Sequence, residues 1–119
     1  MNTARIKTFH LHLISDSTGE TIGLVARACL VQFENIRAEE HLWSMIRTKN
    51  QVVDAITGIQ ENPGFVLYTI VNAEIRDMLE DGCRKLQVPC IGVLDPVTAA
   101  LGVHLDAEVH AQPGRQHVM

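Results

Sequence analysis

The sequence lacks most of the features that would place it in a specialised class of proteins. It contains no apolar run near the roughly 18 to 20 residues that a membrane span needs. Its Lys and Arg residues form no basic block and its formal net charge is −4, which argues against a nucleic-acid-binding surface. One Trp, one Tyr and three Phe residues are too scattered to form a platform for stacking bases. We therefore expect neither a nucleic acid nor a membrane as a partner.

Signals for secretion, disulfides and metal binding are equally sparse. The apolar segment that follows Arg5 and Lys7 is short and alternating, and no A-x-A-like cleavage site comes after it, so we interpret it as a strand. The three cysteines, Cys29, Cys83 and Cys90, show no C-x-x-C spacing. We expect buried, reduced thiols rather than a disulfide or a metal site. Together these observations predict a cytoplasmic protein.

The remaining composition is that of one globular domain, with 119 residues of which 46% are apolar and 20% charged. Apolar periodicity predicts strands that alternate with helices along the whole chain. The predicted strands are residues 8–14, 42–46, 65–71 and 88–94, and the predicted helices are residues 20–34, 49–61, 73–87 and 95–101. Thr48 and Asp95 are the expected N-caps of the second and fourth helices, with Pro96 at the first position of the fourth.

Strict alternation of this kind predicts parallel strands joined by right-handed crossovers. The expected fold is an α/β three-layer sandwich with a mostly parallel four-stranded sheet, Rossmann-like or flavodoxin-like. The helical pattern fades at Gly102. We assign residues 1–103 to the α/β domain and residues 104–119 to a tail or linker.

A short polar segment with the sequence SDSTG joins the first predicted strand to the first helix. The small and polar residues here are Ser15, Asp16, Ser17, Thr18, Gly19, Glu20 and Thr21. Ligands of open α/β sheets bind at the carboxyl ends of strands, and the free amides of a helix N-terminus attract anions. The alternative is an ordinary turn in which Ser17 or Thr18 caps the helix. Two acids and the absence of a lysine argue against a stand-alone phosphate loop.

The other predicted strands also end in polar residues. Arg47 follows the second strand and could supply the positive charge that SDSTG lacks, although a solvated loop arginine is the simpler interpretation. The remaining members of this expected polar rim are Thr48, Tyr68, Thr69, Asn72 and Asp95. Any α/β domain shows some polarity at its strand ends, so this pattern alone does not define a reaction.

His10 and His12 lie two residues apart on the first predicted strand and so share one of its faces. No third metal ligand has a suggestive spacing, and we interpret both histidines as packing or rim residues.

Several segments in one order resemble a known family. They are LISDSTGET followed by VARA, then YTIVNAEIRDML at residues 68–79, VPCIGVLDPV at residues 88–97 and PGRQH at residues 113–117. These segments closely resemble the N-terminal half of the pyruvate, phosphate dikinase regulatory proteins and phosphoenolpyruvate synthase regulatory proteins. The resemblance extends from Phe9 to His117.

The resemblance implies a bifunctional serine/threonine kinase and phosphorylase. Such enzymes phosphorylate a threonine beside the catalytic histidine of the dikinase or synthase, with ADP as phosphoryl donor, and reverse this by attack of inorganic phosphate, which releases pyrophosphate. The STGET form of the loop is more similar to the dikinase-directed branch. Asp16 is then the candidate acid/base group. The loop residues with Arg47 and Thr48 become candidates for holding phosphate or the target protein.

The chain contains no G-x-x-x-x-G-K-[ST] segment, whereas the family carries its nucleotide-binding P-loop in a C-terminal half. We therefore expect no cofactor in this chain and no kinase activity from it alone. ADP and inorganic phosphate would be substrates of the full-length enzyme. Three alternatives to this function remain open. They are a non-catalytic module that docks the target or forms a homodimer, the same activity directed at phosphoenolpyruvate synthase, and a free-standing sensor of a small anion.

Overall fold

The structure is a computed structural model that describes residues 5–110. Strands and helices alternate, as predicted. The strands are β1 (Lys7–Ser15), β2 (Ile36–Trp43), β3 (Gly64–Thr69) and β4 (Cys90–Gly92), and the helices are α1 (Glu20–Leu30), α2 (Lys49–Glu61), α3 (Ala73–Lys85) and α4 (Asp95–Leu105). All strand pairs are parallel. The predicted α/β sandwich with a parallel four-stranded sheet is confirmed.

The strand order β2-β1-β3-β4 contains one reversal of direction. The chain steps from β1 to β2 on one side and then crosses to β3 on the other side of β1. Ser15 pairs with Thr69 in the register of β1 and β3, so the carboxyl ends of these two strands lie next to each other. The crevice just beyond these two strand ends, where the strand order reverses, is where open α/β sheets bind their ligands.

Two apolar clusters cover the two faces of the sheet. Helices α2 and α3 pack on one face, where the fully buried side chains include Ile14, Val52, Ala55, Ile59, Val66, Tyr68, Leu79 and Cys83. The opposite face is packed by α1 and is smaller, with Leu11, Leu13, Ile22 and Ala26 buried. The helical spacing of apolar residues in α1, α2 and α3 therefore points each stripe at the sheet, as periodicity predicts.

The α1 face is only partly covered. An apolar groove of about 470 Å³ remains on it, and its lining includes Phe9, Leu30, Phe33, Phe65, Ile91 and Val93. Cys29 also borders this groove and is exposed, so the prediction that its thiol is buried was wrong. Cys83 is buried as predicted and Cys90 is half-buried.

The second strand was predicted in the wrong place. It spans Ile36–Trp43 rather than residues 42–46, because β2 is an edge strand whose polar residues face solvent and dilute the apolar signal. Helix α1 also ends at Leu30 instead of near residue 34. Asn35 then adopts a left-handed conformation with φ of 58°, which turns the chain into β2.

The end of the described chain departs from prediction as well. Helix α4 extends to Leu105, beyond the expected end at residue 101, and buries none of its residues. Asp95 is not its N-cap, since Leu94 holds that position without any side-chain cap. Strand β4 is shorter than the predicted residues 88–94. Residues 111–119 of the predicted tail lie outside the described residues. No helix between residues 5 and 110 is long and apolar enough to cross a membrane.

Two leucines of equal size test this division between core and exposed helix. Leu79 on α3 is fully buried, whereas Leu101 on α4 is 51% exposed. We expect Leu79→Ala to lower the free energy of unfolding by about 2–5 kcal/mol, because it leaves a cavity in the core. Leu101→Ala should change it by no more than about 0.5 kcal/mol. Urea denaturation measures both, and equal losses would contradict an unpacked α4.

Candidate functional site

Asp16 is the centre of the candidate site. It follows directly on β1, and its backbone N–H donates to the Thr69 carbonyl at 3.1 Å, which continues the parallel ladder past the end of the strand. The side chain is 2% exposed. Its Oδ2 accepts a hydrogen bond from the Val71 N–H at 3.0 Å. The carboxylate is therefore fixed between the ends of β1 and β3, at the reversal of strand order.

Two buried side-chain oxygens in this gap find no hydrogen-bond partner among the described residues. They are Oδ1 of Asp16 and Oγ1 of Thr69. Thr69 is 2% exposed and lies at the last position of β3. Native proteins rarely leave buried polar atoms unpaired, because each lost partner costs about 1–3 kcal/mol. Both atoms lie where open α/β sheets bind their ligands, and they are available to a bound group.

Burial raises the pKa of the Asp16 carboxyl above its usual value of 3.8. The Val71 N–H and the Arg47 guanidinium oppose this effect, because both favour the charged carboxylate, but burial is the larger cause. The folded state therefore favours the protonated acid, and a carboxylate at this position is a stronger base than an exposed aspartate.

The segment of residues 44–48 crosses over the loop and is bonded to it at three points. The Met45 N–H donates to the Ser17 carbonyl and the Ile46 N–H donates to the Ser15 carbonyl, both at 2.9 Å. Arg47 Nε donates to the Asp16 carbonyl at 2.7 Å. Arg47 thus lies beside SDSTG and bonds to a backbone oxygen of the loop, and its expected role in holding an anion stays a prediction.

Serines on either side of Asp16 stabilise the loop from within. The Ser17 N–H donates to Ser15 Oγ at 3.0 Å, and the two hydroxyls lie 3.3 Å apart. Ser15 and Ser17 are buried, at 1% and 5% exposed, whereas Thr18 is exposed. Ser15 and Ser17 therefore shape the loop, and Thr18 presents its hydroxyl outward.

The N-terminus of α1 carries no side-chain cap. Its N-cap is Gly19, and the interpretation in which Ser17 or Thr18 caps this helix was wrong. Gly19 has a left-handed conformation with φ of 92°, and a Cβ there would collide with Leu42, so the position favours glycine. The first amides of α1 consequently have no side-chain cap, and such amides attract anions. Glu20 is exposed and Thr21 is half-buried at this end.

An open depression of about 450 Å³ lies beside this helix end. Its lining includes Thr18, Gly19, Glu20, Arg27 and Glu40. Arg27 and Glu40 form a loose ion pair at 4.0 Å across it. Room for a bound group therefore exists next to the uncapped amides.

Two predicted rim residues instead cap the following helices. Thr48 forms a capping box with Gln51 at the start of α2, as its N-cap prediction stated. Asn72 caps α3 by accepting from the Ile75 N–H at 3.1 Å. The Thr48 hydroxyl and the Asn72 side-chain oxygen thus each accept a hydrogen bond from the first turn of a helix.

Tyr68 and Asp95 form a separate cluster with Glu80, a residue that the sequence analysis missed. The Tyr68 hydroxyl contacts the carboxylates of both Glu80 and Asp95, the latter at 2.9 Å. Burial and these two contacts raise the pKa of Tyr68. Because one hydroxyl carries a single proton, it donates to one carboxylate at a time. The cluster ties α3 and the start of α4 to β3. The sequence pattern that could have revealed this cluster is the position of Glu80 next to Leu79, in the buried stripe of α3.

The fold and this site define an α/β domain with a buried aspartate and an uncapped helix N-terminus at its strand-order reversal. Residues 11–119 match the protein family described as kinase/pyrophosphorylase. Proteins provisionally named pyruvate, phosphate dikinase regulatory protein are similar to the chain. One from Paramagnetospirillum magneticum is 53% identical over 94% of the chain and 36% of its own length. Those from Erythrobacter litoralis and Rhodospirillum rubrum are 50% and 46% identical over 96% of the chain, and over 41% and 42% of their own lengths.

The chain therefore belongs to the kinase/pyrophosphorylase family, as the resemblance in its sequence implies. It spans about two fifths of the length of these curated relatives.

The buried carboxylate predicts an unusual dependence of stability on pH. Because the pKa of Asp16 is raised in the folded state, its contribution to stability is fully present below the unfolded value near 3.8 and is lost as pH rises through the folded value. We expect Asp16→Asn to increase the free energy of unfolding at neutral pH, on the order of 1 kcal/mol, and to have little effect near about pH 4.

Urea denaturation at several pH values measures this difference. Asp54→Asn, at an exposed position on α2, is the matched control and should show no such trend. A destabilising effect of Asp16→Asn that does not vary with pH would contradict a buried, costly charge.

Proposed function

We propose that this chain is the N-terminal domain of a bifunctional, ADP-dependent serine/threonine kinase and phosphate-dependent, pyrophosphate-releasing phosphorylase. Its target is pyruvate, phosphate dikinase, which it switches off and on through a threonine beside the catalytic histidine. The names of the relatives support the target, and the family description supports the two activities. The enzyme acts in the cytoplasm.

The unpaired Oδ1 of Asp16 is the observation that carries a catalytic role for this domain. In the kinase direction the threonine hydroxyl oxygen of the target attacks the β-phosphorus of ADP, AMP leaves, and Asp16 accepts the hydroxyl proton. In the reverse direction an oxygen of inorganic phosphate attacks the phosphorus of the phosphothreonine, which forms pyrophosphate. The bond from phosphorus to the threonine oxygen breaks, and protonated Asp16 gives its proton to that oxygen. A carboxylate of raised pKa suits both steps.

The surrounding groups supply charge and positioning. The uncapped amides of α1 and the outward hydroxyl of Thr18 hold oxygens of inorganic phosphate or of the phosphothreonine. Arg47, bonded to the Asp16 carbonyl, adds positive charge beside Asp16. Phosphoryl transfer depends mainly on such positioning and charge stabilisation. The nucleotide is held outside this chain, since the sequence has no P-loop. We propose that the chain by itself is inactive.

Asp16→Asn in the full-length enzyme tests the acid/base role. We expect the kinase and phosphorylase rates at saturating target to fall together by about 10²- to 10⁴-fold, because proton transfer is lost in both directions. Radiolabel transfer to and from the dikinase measures them. Asp54→Asn should retain both rates. Unchanged rates in the Asp16 variant would remove this carboxyl from the chemistry. A measured gain in the stability of the variant would exclude unfolding as the cause of a loss.

A second experiment separates catalysis from docking of the target. Ser17→Ala combined with Thr18→Ala should lower kcat at saturating dikinase, because the Thr18 hydroxyl that holds the phosphoryl oxygens is lost and the loop that Ser17 shapes is altered. Thr57→Ala, on the exposed side of α2, serves as the control. A loss of affinity for the dikinase with an unchanged kcat would contradict the catalytic proposal and would support a docking module.

A further inference from the structure

Three histidines and the single tryptophan of the chain form a connected group on the two neighbouring strands β1 and β2. His10 and His12 lie on β1, and His41 and Trp43 lie on the neighbouring strand β2. His12 and His41 are direct register partners. We call His10, His41 and His12 the histidine column. His10 and His12 thus gain a third neighbour, His41, which lies 29 residues after His12 in the chain. The pairing of β1 with β2 brings it beside them.

The buried member of the column is held in one protonation state by its two partners. His12 is 0% exposed. Its Nε2 lies 2.8 Å from the Asn62 carbonyl, and its Nδ1 lies 3.1 Å from Trp43 Nε1. A carbonyl can only accept and an indole N–H can only donate, so Nε2 carries the proton and Nδ1 is bare. A second proton on Nδ1 would face the indole N–H and break that hydrogen bond.

The outer part of the column leads to solvent. His10 Nδ1 lies 2.9 Å from His41 Nε2 and 3.4 Å from a carboxylate oxygen of Glu39. The His10 side chain is 31% exposed, and the His41 ring stacks on His12 with centroids 4.6 Å apart. One proton can be shared between His10 and His41, but a second would place two N–H groups against each other. Protons that enter at His10 therefore bring positive charge toward His12.

The charged and titratable groups around His12 are few. Strand β1 contributes His10, and β2 contributes His41 and Glu39. Strand β3 places Gly64 and Val66 beside the two β1 histidines, and α2 presents the Asn62 carbonyl, with Glu61 exposed next to it. Burial lowers the pKa of His12, the other two histidines lower it further, and the Asn62 carbonyl opposes them.

Metal binding is a weaker explanation of the same cluster. His10 and His41 direct their facing nitrogens at each other in a hydrogen bond rather than at a common point. Between residues 5 and 110 no group of three or more His, Cys, Asp or Glu side chains is placed to hold a metal ion. The arrangement is suited to carrying a proton.

Trp43 connects this column to the candidate site. It is the last residue of β2, and the next five residues are the crossing segment 44–48. That segment bonds to the carbonyls of Ser15, Asp16 and Ser17. The indole also packs tightly against α2, since a Cβ at Gly58 would collide with its ring. The position of Trp43 therefore fixes where the crossing segment begins.

We propose that the histidine column is a pH-responsive latch, in which protonation of His12 releases Trp43 and loosens segment 44–48 over the SDSTG loop. The latch is closed in neutral solution and opens on acidification. The direction of the response follows from burial, because the folded state disfavours a charged His12 imidazole. The contribution of His12 to stability is therefore complete above the unfolded pKa near 6.5 and is lost as pH falls below that value. Control of catalysis by the latch rests on the proposed function, whereas release of Trp43 does not.

The fluorescence of the single tryptophan tests the latch in the 119-residue chain, without any activity assay. Acidification from about pH 8 to about pH 5 should give a reversible red shift of the emission maximum, with a midpoint below about 6.5, while far-UV circular dichroism stays constant. A flat emission maximum, or a shift that coincides with loss of helical signal, would overturn the proposal.

Three variants assign the transition to its residues. His12→Gln keeps an acceptor for Trp43 and a donor for Asn62 but cannot take up a proton in this range, so the red shift should disappear. His41→Gln removes a like charge and should move the midpoint to higher pH. His104→Gln, on the exposed face of α4, should leave the response unchanged. A response that survives in His12→Gln rejects the assignment.

Should His12→Gln fail to fold, titration of the histidine ring signals of the unmodified chain by NMR decides instead. The ring of His12 should titrate below the usual histidine value near 6.5, and the shift of Trp43 fluorescence should follow His12. A midpoint for His12 above that value would contradict the latch. Neither result depends on kinase activity, so failure of the latch and failure of the proposed function are distinguishable.

Discussion

A carboxylate kept out of water at the reversal of strand order is the constraint on which the site depends. Asp16 is held by backbone groups of two other segments: the Thr69 carbonyl and Val71 N–H on one side, and the crossing segment with Arg47 on the other. These contacts exist only when β2, β1 and β3 lie side by side. The unpaired Oδ1 and the raised pKa of Asp16 are costs to stability, and they are typical of groups shaped for chemistry.

The electrostatics of the loop are balanced by its surroundings rather than by its own residues. Asp16 and Glu20 would repel a phosphate, which made SDSTG a poor phosphate loop on its own. The uncapped amides of α1 and the nearby Arg47 supply the opposite field. A loop with both an acid and an anion site fits one half of a phosphoryl-transfer centre whose nucleotide is held elsewhere.

Edge strand β2 has a larger role than its weak sequence pattern suggests. Its polar residues face solvent, yet one of its faces places His41 and Trp43 against the buried His12. Its end then continues into the segment that bonds to Ser15, Asp16 and Ser17. The strand thereby links the histidine column to the SDSTG loop. Physical continuity of this kind, through one strand and its hydrogen bonds, gives coupling between the two clusters a structural path.

The sequence by itself determined the alternation of elements, the capping of α2 by Thr48, the buried character of β3 and the position of SDSTG at a strand end. These are local properties, carried by periodicity and by residues a few positions apart. Only the tertiary structure decided the place of β2, the missing cap of α1, the contact of Tyr68 with Glu80 and Asp95, and the stacking of His12 on His41. Each of these depends on partners distant in the chain or on exposure at a sheet edge. Residue patterns report which faces are apolar, but strand order and register determine which side chains meet.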